Sequence, residues 1–174
     1  GLELDFDLDI TEDAEVEIII DKNTGHALKG RGIGGLLVEI NTNGKFNMWG
    51  DFSVFEGVYN FAFGGLVQKQ FIVEPGGTLA WEGEPLKARI DMVATYSTSA
   101  NPSPLLDNPI NRSIPVELKI SLTGELEQPD PQFEFEFPTV NSTVKSELQY
   151  RLESTDDRQN QALYLLSTGS FSRG

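Results

Sequence analysis

The chain contains no cysteine. Disulfides, thiolate metal sites and a cysteine nucleophile are thereby excluded, while the absence itself suits many compartments. Basic residues are scarce: 13 Lys and Arg stand against 27 Asp and Glu, a net charge of −14. Binding along a phosphate backbone needs a basic patch, so nucleic acid is set aside as a partner. Histidine occurs once, at His26 in a polar Thr24-Gly25-His26 turn, and a lone exposed imidazole is a poor candidate for a base. No run approaches the roughly 18 apolar residues that a membrane helix requires. No signal-like segment follows Gly1, which implies a piece of a longer protein whose targeting information lies elsewhere.

What the chain has is alternation. Leu2, Leu4, Phe6, Leu8 and Ile10 are separated by Glu3, Asp5, Asp7 and Asp9. Leu86, Ala88, Ile90, Met92, Ala94 and Tyr96 form a second apolar row, Ile114, Val116, Leu118, Ile120 and Leu122 a third, and Phe133, Phe135 and Phe137 a fourth. Side chains on a strand point to opposite faces with period two, so these rows share a water-excluded face. Strands are predicted over 2–10, 14–20, 26–30, 35–41, 45–52, 57–63, 70–74, 78–82, 86–97, 114–124 and 132–137. Asn43-Gly44, Pro75-Gly76-Gly77 and Glu82-Gly83-Glu84-Pro85 mark turns, and residues 99–112 read as a loop. Short strands without intervening helices mean an antiparallel all-β body.

After Pro138 the period changes. Val144, Leu148 and Leu152 are spaced by four, and Ala162 to Leu166 suggest a second short helix. Asp156 with Gln159 resembles a capping signal, and Gly169 stands where a helix C-terminus wants a left-handed residue. The expected division is a β body over 1–138 and a helical segment over 139–174, which either covers one end of the sheet or docks a partner.

Catalytic machinery is not evident. No Gly-x-Ser-x-Gly elbow exists, and the carboxylates have no spacing that favours acid–base work. Gly30-Arg31-Gly32-Ile33-Gly34-Gly35 matches a dinucleotide fingerprint, but a strand-like Leu36 to Ile40 follows instead of the helix that would hold a pyrophosphate. Those glycines are expected to supply a bulge or bend in a curved sheet. Asp5, Asp7 and Asp9 lie about 7 Å apart along a strand, too far to share one ion. The reading is a protein that is not an enzyme, with no cofactor and no metal site.

The glycine and aromatic pattern is more specific. Gly57 to Gly65, Lys69 to Gly83 and Pro85 to Tyr96, continuing through Arg112, Pro115-Val116, Leu122-Thr123-Gly124, Leu126, Pro129 and Phe133 to Pro138, resembles the C-terminal domain of the TamB (translocation and assembly module) family. Gln161 to Gly169 is similar to that family's helical ending. The resemblance implies a curled antiparallel sheet, a U-shaped β-taco with an apolar interior and a short α-helical tail. It implies a periplasmic protein, anchored in the inner membrane by a helix outside this chain, whose C-terminal end lies near the outer membrane. The implied partners are phospholipid, an Omp85-type (TamA-like) barrel met through the C-terminal region, and outer-membrane protein clients.

Two acyl chains expose on the order of 30 methylenes at roughly 0.8 kcal/mol each, so a phospholipid crossing water faces about 20 kcal/mol, and a greasy trough removes that barrier. The expected lipid-binding inner face comprises Phe61, Phe63, Phe71, Val73, Leu79, Trp81, Leu86, Ile90, Met92, Ile114, Val116, Leu118, Ile120, Leu122, Phe133, Phe135 and Phe137. The alternative is a lipid-free β-sandwich binding or adhesion module, whose facing side chains would interdigitate and leave no channel.

Overall fold

A computed structural model describes residues 3–21, 26–65 and 67–174; Leu2 of the expected first strand and Thr24 and Gly25 of the expected turn lie outside the described residues. Nine strands form one antiparallel sheet: β1 (Leu4–Ile10), β2 (Glu15–Asp21), β3 (His26–Ile40), β4 (Phe46–Phe63), β5 (Val67–Val73), β6 (Gly77–Gly83), β7 (Arg89–Ala100), β8 (Ile114–Glu125) and β9 (Gln128–Glu136). Two helices follow, α1 (Ser142–Arg151) and α2 (Thr155–Thr168).

Nine strands replace the eleven expected because two pairs fuse. The glycine run from Gly30 to Gly35 stays inside β3, paired with β4 throughout. Arg31 pairs with Glu56 and Gly32 with Val54, leaving Phe55 as the extra residue of a β-bulge. Gly32 is required there, because a Cβ at this position would overlap the Ser53 carbonyl oxygen. The glycines thus bend the long β3–β4 ribbon without ending it, the role read from the sequence.

The long strands organise the short ones. β1 and β2 lie end to end along β3, paired at residues 34–40 and 26–31. β5 and β6 lie end to end along β4, paired at 57–63 and 48–54. Both also pair with β7, after which β8 and β9 complete the sheet.

The sheet curls until its inner face meets itself. Phe61 of β4 packs edge-on against Phe133 of β9 with ring centroids 5.9 Å apart, although β5, β7 and β8 lie between those strands in sheet order. Helix α2 bridges the same two arms: it touches β9 and β5, and its Ala162 and Leu166 enter the main core with Phe71, Leu118 and Ile120. A second cluster joins Leu148, Leu152, Leu165 and Phe171 to Ala100, Ile114, Val116 and Phe137.

The helix ends follow local chemistry. The Asn141 side chain accepts from the Val144 N–H at 2.9 Å and starts α1. Helix α2 is capped by Ser154, which accepts from the Asp157 N–H at 3.0 Å; Asp156, read as the cap, instead sits with Asp157 in the first turn, where carboxylates meet the positive helix end. Gly169, with φ 77°, ends α2 as expected.

Two local expectations are corrected. The strand predicted from residue 86 starts at Arg89, because Pro85 to Lys87 form a 3-10 turn with proline at its first position. The Pro85 carbonyl accepts from Trp81 Nε1 at 3.0 Å, which fixes that turn. His26 is not in an exposed turn: it is the first residue of β3, half-buried, with Nδ1 hydrogen-bonded to the Tyr59 hydroxyl at 3.0 Å and its ring edge-on to Phe61 at 5.6 Å.

Candidate functional site: one apolar face, covered and bare

Cross-strand register carries one apolar face over the whole sheet, since directly paired residues project to the same side. One row runs Leu28, Tyr59, Phe71 and on to Tyr96, where the Phe71 and Tyr96 rings stand 5.7 Å apart. A parallel row runs Ile10, Gly34, Phe52, Leu79, Ile90. On β8 the face continues as Ile114, Val116, Leu118, Ile120 and Leu122, opposite Ala100, Thr98, Tyr96, Ala94 and Met92 of β7. On β9 it continues as Phe133 and Phe135, opposite Ile120 and Leu118.

The expected inner-face residues are almost all brought together here. Phe61, Phe71, Val73, Leu79, Trp81, Ile90, Met92, Ile114, Val116, Leu118, Ile120, Leu122, Phe133 and Phe137 are buried, and Phe135 is half-buried. Phe63 is on the face but at a hairpin tip, 46% exposed. Leu86 is not on it: the 3-10 turn leaves it 51% exposed outside the strand rows.

Burial in this region comes from the protein itself. Side chains of opposite arms and of α2 fill the space between them, and Phe171 closes the end against Phe135 and Phe137 at 5.7 and 6.1 Å. The tail is held down by Gln161, whose Nε2 donates to the Ser172 carbonyl at 2.7 Å while its Oε1 accepts from the Ser172 N–H at 2.9 Å. Arg158 ties the helix junction to the edge of β9. Its Nε donates to the Phe133 carbonyl at 2.9 Å and its Nη1 to the Leu152 and Glu153 carbonyls at 3.1 and 2.6 Å. A cleft of about 320 Å³ beside this junction is lined by Phe135, Phe137, Leu152 and Arg158, together with Glu134, Gln149 and Glu153.

The same face is bare on β1. Leu4, Phe6 and Leu8 pair with Ile40, Val38 and Leu36, so they continue the inner face, yet they are 56%, 45% and 46% exposed. Phe46, opposite Ile40 on β4, is 40% exposed. Sequence reasoning saw the β1 alternation but left these residues out of the site. The signal was the row itself; it carried no information on whether another element packs over it, and among the described residues none buries it.

Electrostatics separate the two sides of the sheet. On the outer side Asp5, Asp7 and Asp9 stand exposed, and Lys29–Glu15 and Arg31–Glu56 pair at 3.2 and 3.5 Å. Lys119 bridges Glu74 and Glu136 at 3.2 and 3.4 Å, which raises its pKa chiefly through the hydrogen bond to Glu74. On the inner side, burial pushes the Tyr59 hydroxyl up to about 12.

The fold and face define a class: an all-β domain whose single curled sheet keeps a greasy concave wall, plugged at one end by two helices. The family model for the TamB C-terminal domain matches residues 1–174, the whole chain, and the protein belongs to that family. A search of curated proteins returns no match. Membership ties the chain to the cell envelope and to outer-membrane assembly and transport. Among the described residues no helix is long and apolar enough to cross a membrane.

Proposed function

We propose that this domain is one section, sealed at one end, of a longer hydrophobic conduit that carries phospholipid between the inner and outer membranes and supports outer-membrane protein assembly with an Omp85-type barrel, without catalysis of its own. The observation that carries the reading is the bare stretch of the inner face: Leu4, Phe6, Leu8 and Phe46 remain open on the same wall that β5 to β9 and α2 seal elsewhere. Half-exposed side chains of this size retain on the order of 1 kcal/mol each of unrealised burial energy, several kcal/mol together, for hydrocarbon laid against them. Weak, similar contacts without a deep polar pocket suit an occupant that must slide. The acidic outer side keeps such a protein soluble.

This moves the lipid-contacting wall from the sealed residues to the β1 side. A photo-crosslinking amino acid at Phe6 or Leu8 in the full-length protein in bacterial membranes is expected to yield phospholipid adducts, and one at Leu118 none. Equal labelling at both places, or none at Phe6 and Leu8, overturns the reading. The filled interior favours a second reading, a lipid-free binding module, for which an unlabelled β1 row is the expected outcome.

A further inference from the structure

We infer that the groove between the free edge of β9 and α1 binds an extended segment of a partner polypeptide, one that carries an apolar residue beside a lysine or arginine. The edge is guarded at every outward position but one. Phe133 turns its carbonyl away from β8 to accept from Arg158 Nε at 2.9 Å. Residues two apart on an antiparallel strand share that orientation, so Pro129, Pro131 and Phe135 also direct their backbone outward. The two prolines have no N–H to offer an incoming strand, which blunts the first half of the edge. At Phe133 the carbonyl is taken by Arg158. At Phe135 both groups are open: no strand lies beyond β9, and among the described residues nothing bonds to its N–H or its carbonyl. A donor and an acceptor side by side on a sheet edge are what an added strand pairs with.

The groove selects what joins. The cleft beside Arg158 and a second of about 400 Å³ share Glu134, Phe135, Phe137 and Gln149, so they form one channel along residues 134–138. Its length is about 14 Å, the reach of four to five extended residues. Phe137 and Leu152 line it for an apolar side chain. Of the charged groups around it, Arg158 spends its donors on carbonyls and on Thr155, and Glu136 pairs with Lys119. Glu134 and Glu153, one from each wall of the first cleft, have no ion pair among the described residues, nor has Lys145 in the second. The complement of the first cleft is therefore a cation. A fatty tail offers nothing to the Phe135 backbone, and an anionic headgroup would meet those two carboxylates. Strand β1 is also a free edge, but the helices pack elsewhere, so a strand added there would find no second wall to select its side chains. The inference does not depend on the conduit reading: β1 and β9 are opposite ends of the sheet, and the groove lies at an edge rather than on a face.

The test is fluorescence anisotropy of the 174-residue chain with short, labelled, end-blocked peptides, one alternating valine with lysine and one alternating valine with glutamate. The lysine peptide is expected to bind, and the glutamate peptide to bind about tenfold more weakly, the effect of two exposed ion pairs. Glu134→Lys combined with Glu153→Lys is expected to reverse that order, and Gln149→Trp, at an exposed position lining both clefts, to block the groove with β-sheet circular dichroism retained. A chain of net charge −14 attracts any cationic peptide, so the control is a lysine peptide of the same charge whose backbone nitrogens are methylated, which is expected not to bind. Amide exchange at Phe135 is expected to be fast in the free chain and slowed by the lysine peptide, a readout that a damaged fold does not reproduce. No binding of the lysine peptide, equal affinity for the methylated one, or binding indifferent to both Gln149→Trp and the charge reversal overturns the inference. Protection that appears along β1 and not at Phe135 overturns it in favour of the other edge. Protection of Phe135 that rises with chain concentration in the absence of peptide overturns it in favour of pairing between two copies. Phospholipid crosslinking at Phe6 is expected to survive Gln149→Trp, so failure of either proposal leaves the other readable.

Discussion

Leu118 and Phe6 occupy equivalent positions on one continuous face, yet Leu118 is fully buried and Phe6 is 45% exposed. Both come from strict alternation of apolar and polar residues, and both strands have a polar outer side. The difference is made elsewhere in the chain, by α2 and by the arm that carries Phe61 back onto Phe133. Alternation specifies which face is greasy; it does not specify what lies on it. The covered half is therefore held by packing, and the bare half is the stretch of wall that the proposed conduit reading assigns to hydrocarbon.

The largest expected effect breaks this comparison directly. Leu118→Arg or Ile120→Asp places an unpaired charge where no water reaches, and is expected to cost more than about 4 kcal/mol and unfold the domain. Phe6→Asp or Leu8→Asp, on the bare row, is expected to change stability by about 1 kcal/mol or less while removing the phospholipid adduct formed from a photo-crosslinker at Leu4. Urea denaturation of the four variants checks both halves. Equal destabilisation by the two pairs would mean that the β1 row is also packed in solution.

A second comparison is between the covered half with and without its latch. Arg158→Met keeps much of the stem but removes the donors to the Phe133, Leu152 and Glu153 carbonyls. Hydrogen bonds from a charged donor contribute about 1.5–3 kcal/mol each when their partners are left unsatisfied, but this site is partly exposed, so a total of about 3 kcal/mol is expected. Hydrogen exchange should quicken in α2 and β9 and stay unchanged in β1 and β3. Uniform acceleration over the sheet would show that the helices are not a separable lid on this end.

Much of this was legible in the residues. The alternating rows, the antiparallel sheet, the bend at Gly30 to Gly35 and the helical tail follow from period, glycine placement and turn chemistry, all local properties. The misses occur where local signals compete. Residues 26–41 and 45–63 each read as two strands because glycine weakens a strand locally, whereas a bulge at Phe55 lets both ribbons continue. Leu86 fits the alternation of β7, but Pro85 and the Trp81 indole hold it in a turn. The cap of α2 is displaced to Ser154 because two candidates lie close together and only geometry selects one. The site divided the same way: most of the inner face was readable from the alternation, Leu86 and the β1 row apart, and its covering depended on contacts such as that between Phe61 and Phe133, far apart in sequence.

The mildest way to sharpen the comparison is pH. Tyr59 is 2% exposed on the covered half, and burial lifts its hydroxyl to about 12 from the ordinary value of 10.0. Above pH 10 the unfolded chain releases this proton first, so the folded state holds more protons and stability falls as pH rises. The contribution is fully present below about 10 and gone once pH passes about 12, a loss of about 2–3 kcal/mol. Tyr59→Phe is expected to remove that component of the alkaline decline, while losing the hydrogen bond to His26 at neutral pH. Because Tyr59 touches the filled interior and not the β1 row, exchange protection between about pH 10 and 12 should fall first around β4 and β5. Loss beginning instead at β1 would place the weakest packing on the bare side and reverse the assignment of which half the core holds.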